Sequence, residues 1–125
     1  MIVAIGIDSI AITRIENLWQ RCGDRFLHRV FTAREIAYCR SRHRPAESFA
    51  ARFCAKEATM KCLTTGWAAG LGFQQIEVTR NVAGAVHLAI TGRAAARGAE
   101  LGIRRFQVSL THTETVATAF VVAEA

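Results

Sequence analysis

Residues 46–63 read AESFAARFCAKEATMKCL, and nearly every position in that run is a strong helix former. Pro45, the only proline, sits directly before it, where the first turn of a helix tolerates a missing N–H. Thr64, Thr65 and Gly66 then stop the run. Within the helix Phe49, Phe53, Glu57 and Lys61 recur every four residues, so they lie nearly above one another. Two aromatics thus lead into two charges on one face. In one account the helix starts in a core and emerges into water, leaving Glu57 and Lys61 as a surface pair contributing ~0.3 kcal/mol. In the other, the charged end of the stripe faces a ligand.

Upstream, Ile2 to Ile7 form a short apolar run rich in β-branched side chains, which predicts a buried strand ending at Asp8. The period then changes. Ile15, Leu18, Trp19, Cys22 and Phe26 recur at helical spacing, with Arg14, Arg21 and Arg25 on a neighbouring stripe of the same turns. Gly23 and Asp24 interrupt that helix, and Thr32 followed by Glu35 is a capping box opening a further helix toward Arg42. Downstream, Gly70 and Gly72 mark a loop, Phe73 to Arg80 alternates like a strand, and Asn81 to Gly84 is a turn into a second strand ending near Thr91. Thr91 to Leu101 reads as a short helix with Gly102 after its end, and Arg105 to Ala123 as two strands with a turn near Thr113 to Thr115. No repeat or linker divides the chain. The expectation is one domain over residues 1–125, of α+β class, with helices packed on a small, largely antiparallel sheet.

With 125 residues, 51% apolar and 21% charged, the chain suits a single core. A chain this short offers only a shallow groove of its own, so a large ligand favours a site completed by a second subunit. The first residues, MIVAIGIDSI, lack the basic leader and cleavage site of a signal peptide, and no stretch reaches membrane-spanning length. Cys22, Cys39, Cys54 and Cys62 are widely spaced with no C-x-x-C pair, which argues for free thiols and a reducing cytoplasm. Between Arg14 and Arg44 lie eight arginines and three acids, so that segment carries five of the six net positive charges. Such a patch attracts polyanions, whether nucleic acid, a phosphate-rich cofactor or an acidic protein. A nucleic-acid-binding module is the rival reading from another class. It has no recognisable groove-reading motif here, nor aromatics interleaved with the arginines, so neither nucleic acid nor membrane is the expected partner.

Asp8, directly after a strand, has two readings: a cap for the next helix, or a ligand where separate elements converge. Two carboxylates with an adjacent lysine suit magnesium plus a polyphosphate, because magnesium takes one or two protein carboxylates and fills its shell with water and phosphate oxygens. By alternation His112 shares a strand face with Phe106, Val108 and Leu110, and a buried structural histidine is the reading that pattern favours. His43, between Arg42 and Arg44, reads as part of a solvated basic turn.

Taken together, GIDSIAITRIENL (6–18), FAARFCAKEATMKCL (49–63) and VSLTHTETVATAFVV (108–122) resemble the holo-acyl carrier protein synthase family of phosphopantetheinyl transferases. The resemblance implies transfer of 4'-phosphopantetheine from coenzyme A to an acidic apo-acyl carrier protein, in support of fatty-acid or polyketide synthesis. It implies magnesium held by Asp8 and Glu57, with Glu57 and Lys61 as catalytic residues. Arg44, Arg52, Lys56, Gly66, Ser109 and His112 would contact the coenzyme, the Thr64 to Gly66 turn through its backbone N–H groups. Arg14, Arg21 and Arg25 would dock the carrier. It further implies a homotrimer with sites between subunits. Three departures stand out: Cys62-Leu63-Thr64 in place of A-L-G, Gly84-Ala85-Val86 in place of G-x-P, and Thr111 in place of serine.

Overall fold

The computed structural model describes residues 1–64, 66 and 70–125. Strand β1 (Ile2–Ala11) leads into helices α1 (Ile12–Cys22), α2 (Asp24–Val30), α3 (Ala33–Arg40) and the long α4 (Pro45–Leu63). A 3-10 turn at Phe73–Gln75 enters the hairpin β2 (Ile76–Arg80) and β3 (Val86–Ile90), and α5 (Gly92–Glu100) precedes the hairpin β4 (Arg105–His112) and β5 (Val116–Glu124). Two antiparallel sheets result, one of order β1-β5-β4 and one of β2-β3. This is the expected α+β class. Among the described residues no helix is long and apolar enough to cross a membrane.

Helix α4 lies across the three-stranded sheet, and small side chains set how closely. Ala117, Ala119, Val121 and Ala123 of β5 and Ala51, Cys54, Ala55, Ala58 and Cys62 of α4 are all buried. A Cβ built on Gly6 of β1 would meet the Ala58 carbonyl oxygen at 2.0 Å, so only glycine fits at this crossing. Helical periodicity is muted because α4 is covered nearly all round. Phe49 packs edge-on to Trp19 at 5.1 Å and against Phe31 at 4.8 Å, joining α1 and the end of α2 to α4.

Several expectations shift. Strand β1 does not end at Asp8: Asp8 pairs with Ala119, and Ser9, Ile10 and Ala11 continue the ladder. Nor is it buried on both faces, since Ile5 is 61% and Ile7 56% exposed on the side away from α4. The β-branched run predicts a buried strand, whereas alternation with Ala4, Gly6 and Asp8 leaves it covered on one face only. Asp8 is no cap either, because the residue before α1 is Ala11, with no side-chain cap. The strand expected from Phe73 starts at Ile76. The Thr32–Glu35 capping box is present. Gly23 separates α1 from α2 at φ +65°.

Candidate functional site

The charged end of the α4 stripe meets β1. Phe49 is buried, Phe53 and Glu57 are half-buried and Lys61 is exposed, so the stripe does emerge from the core. It emerges against Asp8. Lys61 Nζ stands 3.6 Å from Asp8 Oδ1 and donates to the Ile7 carbonyl at 2.6 Å. One turn before Glu57 on α4, the buried Cys54 thiol donates to the Ala117 carbonyl at 3.4 Å. Burial first, then the charge and hydrogen bond of Asp8 and the charge of Glu57, push that thiol up to about 12. The strand register and the close α4 crossing at Gly6 therefore bring Asp8, Glu57 and Lys61 to one place.

This donor set suits magnesium: two hard carboxylate oxygens from separate elements, with a lysine alongside for an anionic co-ligand. Among the described residues no cluster of three or more His, Cys, Asp or Glu could hold a metal ion.

A second cluster forms at the other end of α4. Arg42, His43, Arg44, Arg52, Arg80 and His112 line a pocket of about 330 Å³. Arg44 Nη1 bonds Glu47 at 3.0 Å, and Glu47 Oε1 lies 3.3 Å from His112 Nε2. His112 is thus exposed rather than a core histidine, because it pairs with Ala117 at the end of the sheet, beyond Leu110, and faces the first turn of α4. His43 belongs to the pocket as well, not merely to a solvated turn. Arg52 is only 3% exposed, and its Nε has no hydrogen-bond partner among the described residues. Arg80 and Tyr38, which also lines this pocket, escaped the sequence reading. The only signals were a strand-terminal arginine and the chain's single tyrosine.

The structure does not present Lys56 at a surface where the coenzyme contact expected of it could form. Lys56 is 0% exposed, pairs with Glu35 Oε1 at 2.8 Å, and donates to the carbonyls of Phe73 at 3.1 Å and Ile76 at 2.6 Å. Its three protons are spoken for. Burial pushes its pKa down, and Glu35 pulls it back. Glu35 also accepts from the Val78 N–H at 2.9 Å, so the pair clasps α3, α4 and β2 together.

Ser109 lies on the opposite face of β4 from Leu110 and His112, opposite Phe120, and the structure does not bring it to the pocket of this chain. The Thr64 to Gly66 turn lies partly outside the described residues. Thr64 adopts φ +62°, and its N–H is already bonded to the Met60 carbonyl, so it is not free to bind a nucleotide. Arg97 steadies this strained turn through the Leu63 carbonyl at 3.1 Å and the Thr64 hydroxyl at 3.1 Å. Gly66 is exposed at φ +65°. At the second departure, Gly84 sits at φ +89° in the β2–β3 turn.

Arg14, Arg21 and Arg25 are exposed along α1 and α2. Arg21 and Arg25, with Leu18, Phe26 and Arg29, line a groove of about 900 Å³; Arg14 lies outside it.

Residues 4–120 match the family model of the 4'-phosphopantetheinyl transferase superfamily. The chain is 44% identical over 124 residues to a holo-[acyl-carrier-protein] synthase of Koribacter versatilis, covering 99% of each. The crystal structure of holo-[acyl-carrier-protein] synthase from Neisseria meningitidis superposes with a TM-score of 0.90 at 32% identity, covering 100% of both chains. That of the Helicobacter pylori enzyme in complex with coenzyme A gives 0.85 at 29% identity, covering 97% of this chain and 100% of that one. A match over nearly the whole length, carrying Asp8, Glu57 and Lys61 at one junction of strand and helix, makes this chain a member of the 4'-phosphopantetheinyl transferase superfamily.

Proposed function

We propose that this chain transfers the 4'-phosphopantetheine arm of coenzyme A to a serine of an apo-acyl carrier protein, giving holo-carrier and 3',5'-ADP. The observation that carries the reading is the meeting of Asp8, Glu57 and Lys61 where β1 crosses α4. In the reaction the serine oxygen bonds to the β-phosphorus, the bond from that phosphorus to the ADP oxygen breaks, and the serine proton leaves. Such transfers depend on positioning and charge neutralisation more than on covalent help. Asp8 and Glu57 hold magnesium, which neutralises phosphate charge when bound. Lys61 neutralises further charge on the same phosphates. Glu57, half-buried beside them, is the first candidate to receive the serine proton.

Arg44, Arg52 and His112 contact coenzyme phosphate in the basic pocket. Arg14, Arg21 and Arg25 dock the acidic carrier, with Leu18 and Phe26 as the apolar floor beneath the latter two. The sheet face turned away from α4 exposes Val3, Ile5, Ile7 and Phe120, an apolar surface suited to further copies of the chain. A homotrimer with sites between subunits uses this face and gives Ser109, which lies on it, access to a neighbour's coenzyme. The whole chain, 1–125, acts as one transferase domain in the cytoplasm, serving fatty-acid synthesis.

A phosphohydrolase would use the same two carboxylates. Incubation with apo-carrier and coenzyme A labelled in its pantetheine arm separates the two: the proposal expects label in the carrier. Label released into solution with the carrier unmodified would favour hydrolysis.

A further inference from the structure

Three guanidinium groups converge on one aromatic ring. The guanidinium carbons of Arg52, Arg42 and Arg80 lie 4.3, 5.5 and 5.7 Å from the Tyr38 ring centroid. They come from three places: the body of α4, the turn after α3 and the end of β2. Among the described residues no carboxylate is paired with any of the three. Nearby Glu47 is engaged by Arg44 and His112, and Glu77 by Arg34 at 3.9 Å. Arg80 is tethered by its bond to the Gly84 carbonyl at 2.9 Å.

Three like charges around one ring repel each other, and Arg52 has in addition lost its water. Two things offset that. The electron-rich face of Tyr38 attracts each cation, and an anion in the adjoining pocket would meet all three. The cluster is therefore preformed for a strongly charged ligand rather than balanced by the protein itself.

Resting on the transferase reading, we infer that Tyr38 is a positioning residue: its ring aligns Arg42, Arg52 and Arg80 into a cup for the phosphomonoester of coenzyme A, and so sets preference for coenzyme A over its 3'-dephospho form. The coenzyme carries two phosphate groupings. Its diphosphate suits the metal-binding carboxylates and Lys61. Its phosphomonoester, close to doubly charged at neutral pH, is repelled by carboxylates and drawn to a pocket of arginines. None of the pocket's lining residues is Asp8, Glu57 or Lys61, so the two groupings have separate seats. The ring matters more than the hydroxyl, since it is the ring face that the cations approach.

The test compares wild type, Tyr38→Phe and Tyr38→Leu in the full-length protein. Calorimetric binding of 3',5'-ADP and of 5'-AMP isolates the phosphomonoester without any turnover. Wild type and Tyr38→Phe should bind 3',5'-ADP more tightly than AMP, and Tyr38→Leu should lose about tenfold of that preference. In transfer assays Tyr38→Leu should raise KM for coenzyme A by a similar factor, leaving kcat and the KM for 3'-dephospho-coenzyme A unchanged. Preserved discrimination in Tyr38→Leu overturns the inference, as does an equal loss in Tyr38→Phe. Arg80→Gln, on the exposed hairpin, covers the case in which Tyr38→Leu fails to fold: it should lose part of the preference, and full retention also overturns the inference. Wild type that transfers from neither donor would instead remove the transferase reading, while the two nucleotides still decide the role of Tyr38.

Discussion

Lys61 Nζ donates to the Ile7 carbonyl at 2.6 Å while standing 3.6 Å from Asp8 Oδ1, so the exposed end of α4 is latched to both backbone and side chain of β1. The latch is partly exposed and adds under about 1 kcal/mol to stability. Lys61→Ala should therefore leave the urea midpoint nearly unchanged while slowing transfer at least about a hundredfold. Glu57→Ala should do the same. Near-normal turnover by either folded variant at saturating magnesium would remove that residue from the chemistry.

Lys56→Met should behave in the opposite way. It leaves Glu35 as an unpaired buried carboxylate beside the freed carbonyls of Phe73 and Ile76, a loss of about 3–5 kcal/mol. Equilibrium unfolding reads this directly. A Lys56→Met protein of ordinary stability with a raised KM for coenzyme A would restore Lys56 as a coenzyme contact.

Gly6→Ala places a methyl against the Ala58 carbonyl, a backbone atom that cannot swing away. The crossing must open, at about 3 kcal/mol, and Asp8 moves off Glu57 and Lys61 as it does so. Stability and activity should fall together in this variant. Full activity in Gly6→Ala would mean that the close crossing does not position the site.

The thiols report on burial and pH. Cys22 is exposed and the other three are buried, so native protein should show one fast-reacting thiol and denatured protein four. Burial lifts Cys39 and Cys54 from 9.0 to about 12 and Cys62 to about 11. The fold thus holds these protons more tightly than the unfolded chain. Their contribution is complete below pH 9.0 and is lost as pH rises through 11 to 12. Unfolding midpoints that rise between pH 9 and 11 in wild type, relative to a Cys39→Ala, Cys54→Ala variant, would contradict this sign.

Carrier docking should be electrostatic. Arg25→Glu, in the apolar-floored groove, and Arg14→Glu, outside it, should each raise KM for carrier severalfold with kcat kept, and wild-type KM should climb with salt. If Arg14→Glu alone leaves that KM unchanged, docking is confined to the groove.

The helix of residues 46–63, the capping box and the two C-terminal strands were legible in the sequence because local periodicity and turn residues specify them. The end of β1 was not. Asp8 looks like a terminus in a hydropathy pattern, yet pairing with β5, a non-local contact, carries the strand on to Ala11. Lys56 and Lys61 look alike in sequence, five residues apart. They turn to different sides of α4, and only the packing of α3 and β2 shows which one is buried. His112 and Ser109 were grouped by motif, but strand alternation sends them to opposite faces. Tyr38 and Arg80 were invisible because nothing local announces that a helix and a hairpin far apart in sequence share a ring.

The central claim is that Asp8 and its α4 partners carry out transfer to a carrier. Its most direct test is the intact mass of apo-acyl carrier protein incubated with coenzyme A, magnesium and either wild-type chain or Asp8→Ala. The account predicts a gain of one phosphopantetheine arm with wild type and an unchanged carrier with Asp8→Ala. An unmodified carrier in both reactions, or full conversion in both, would contradict it.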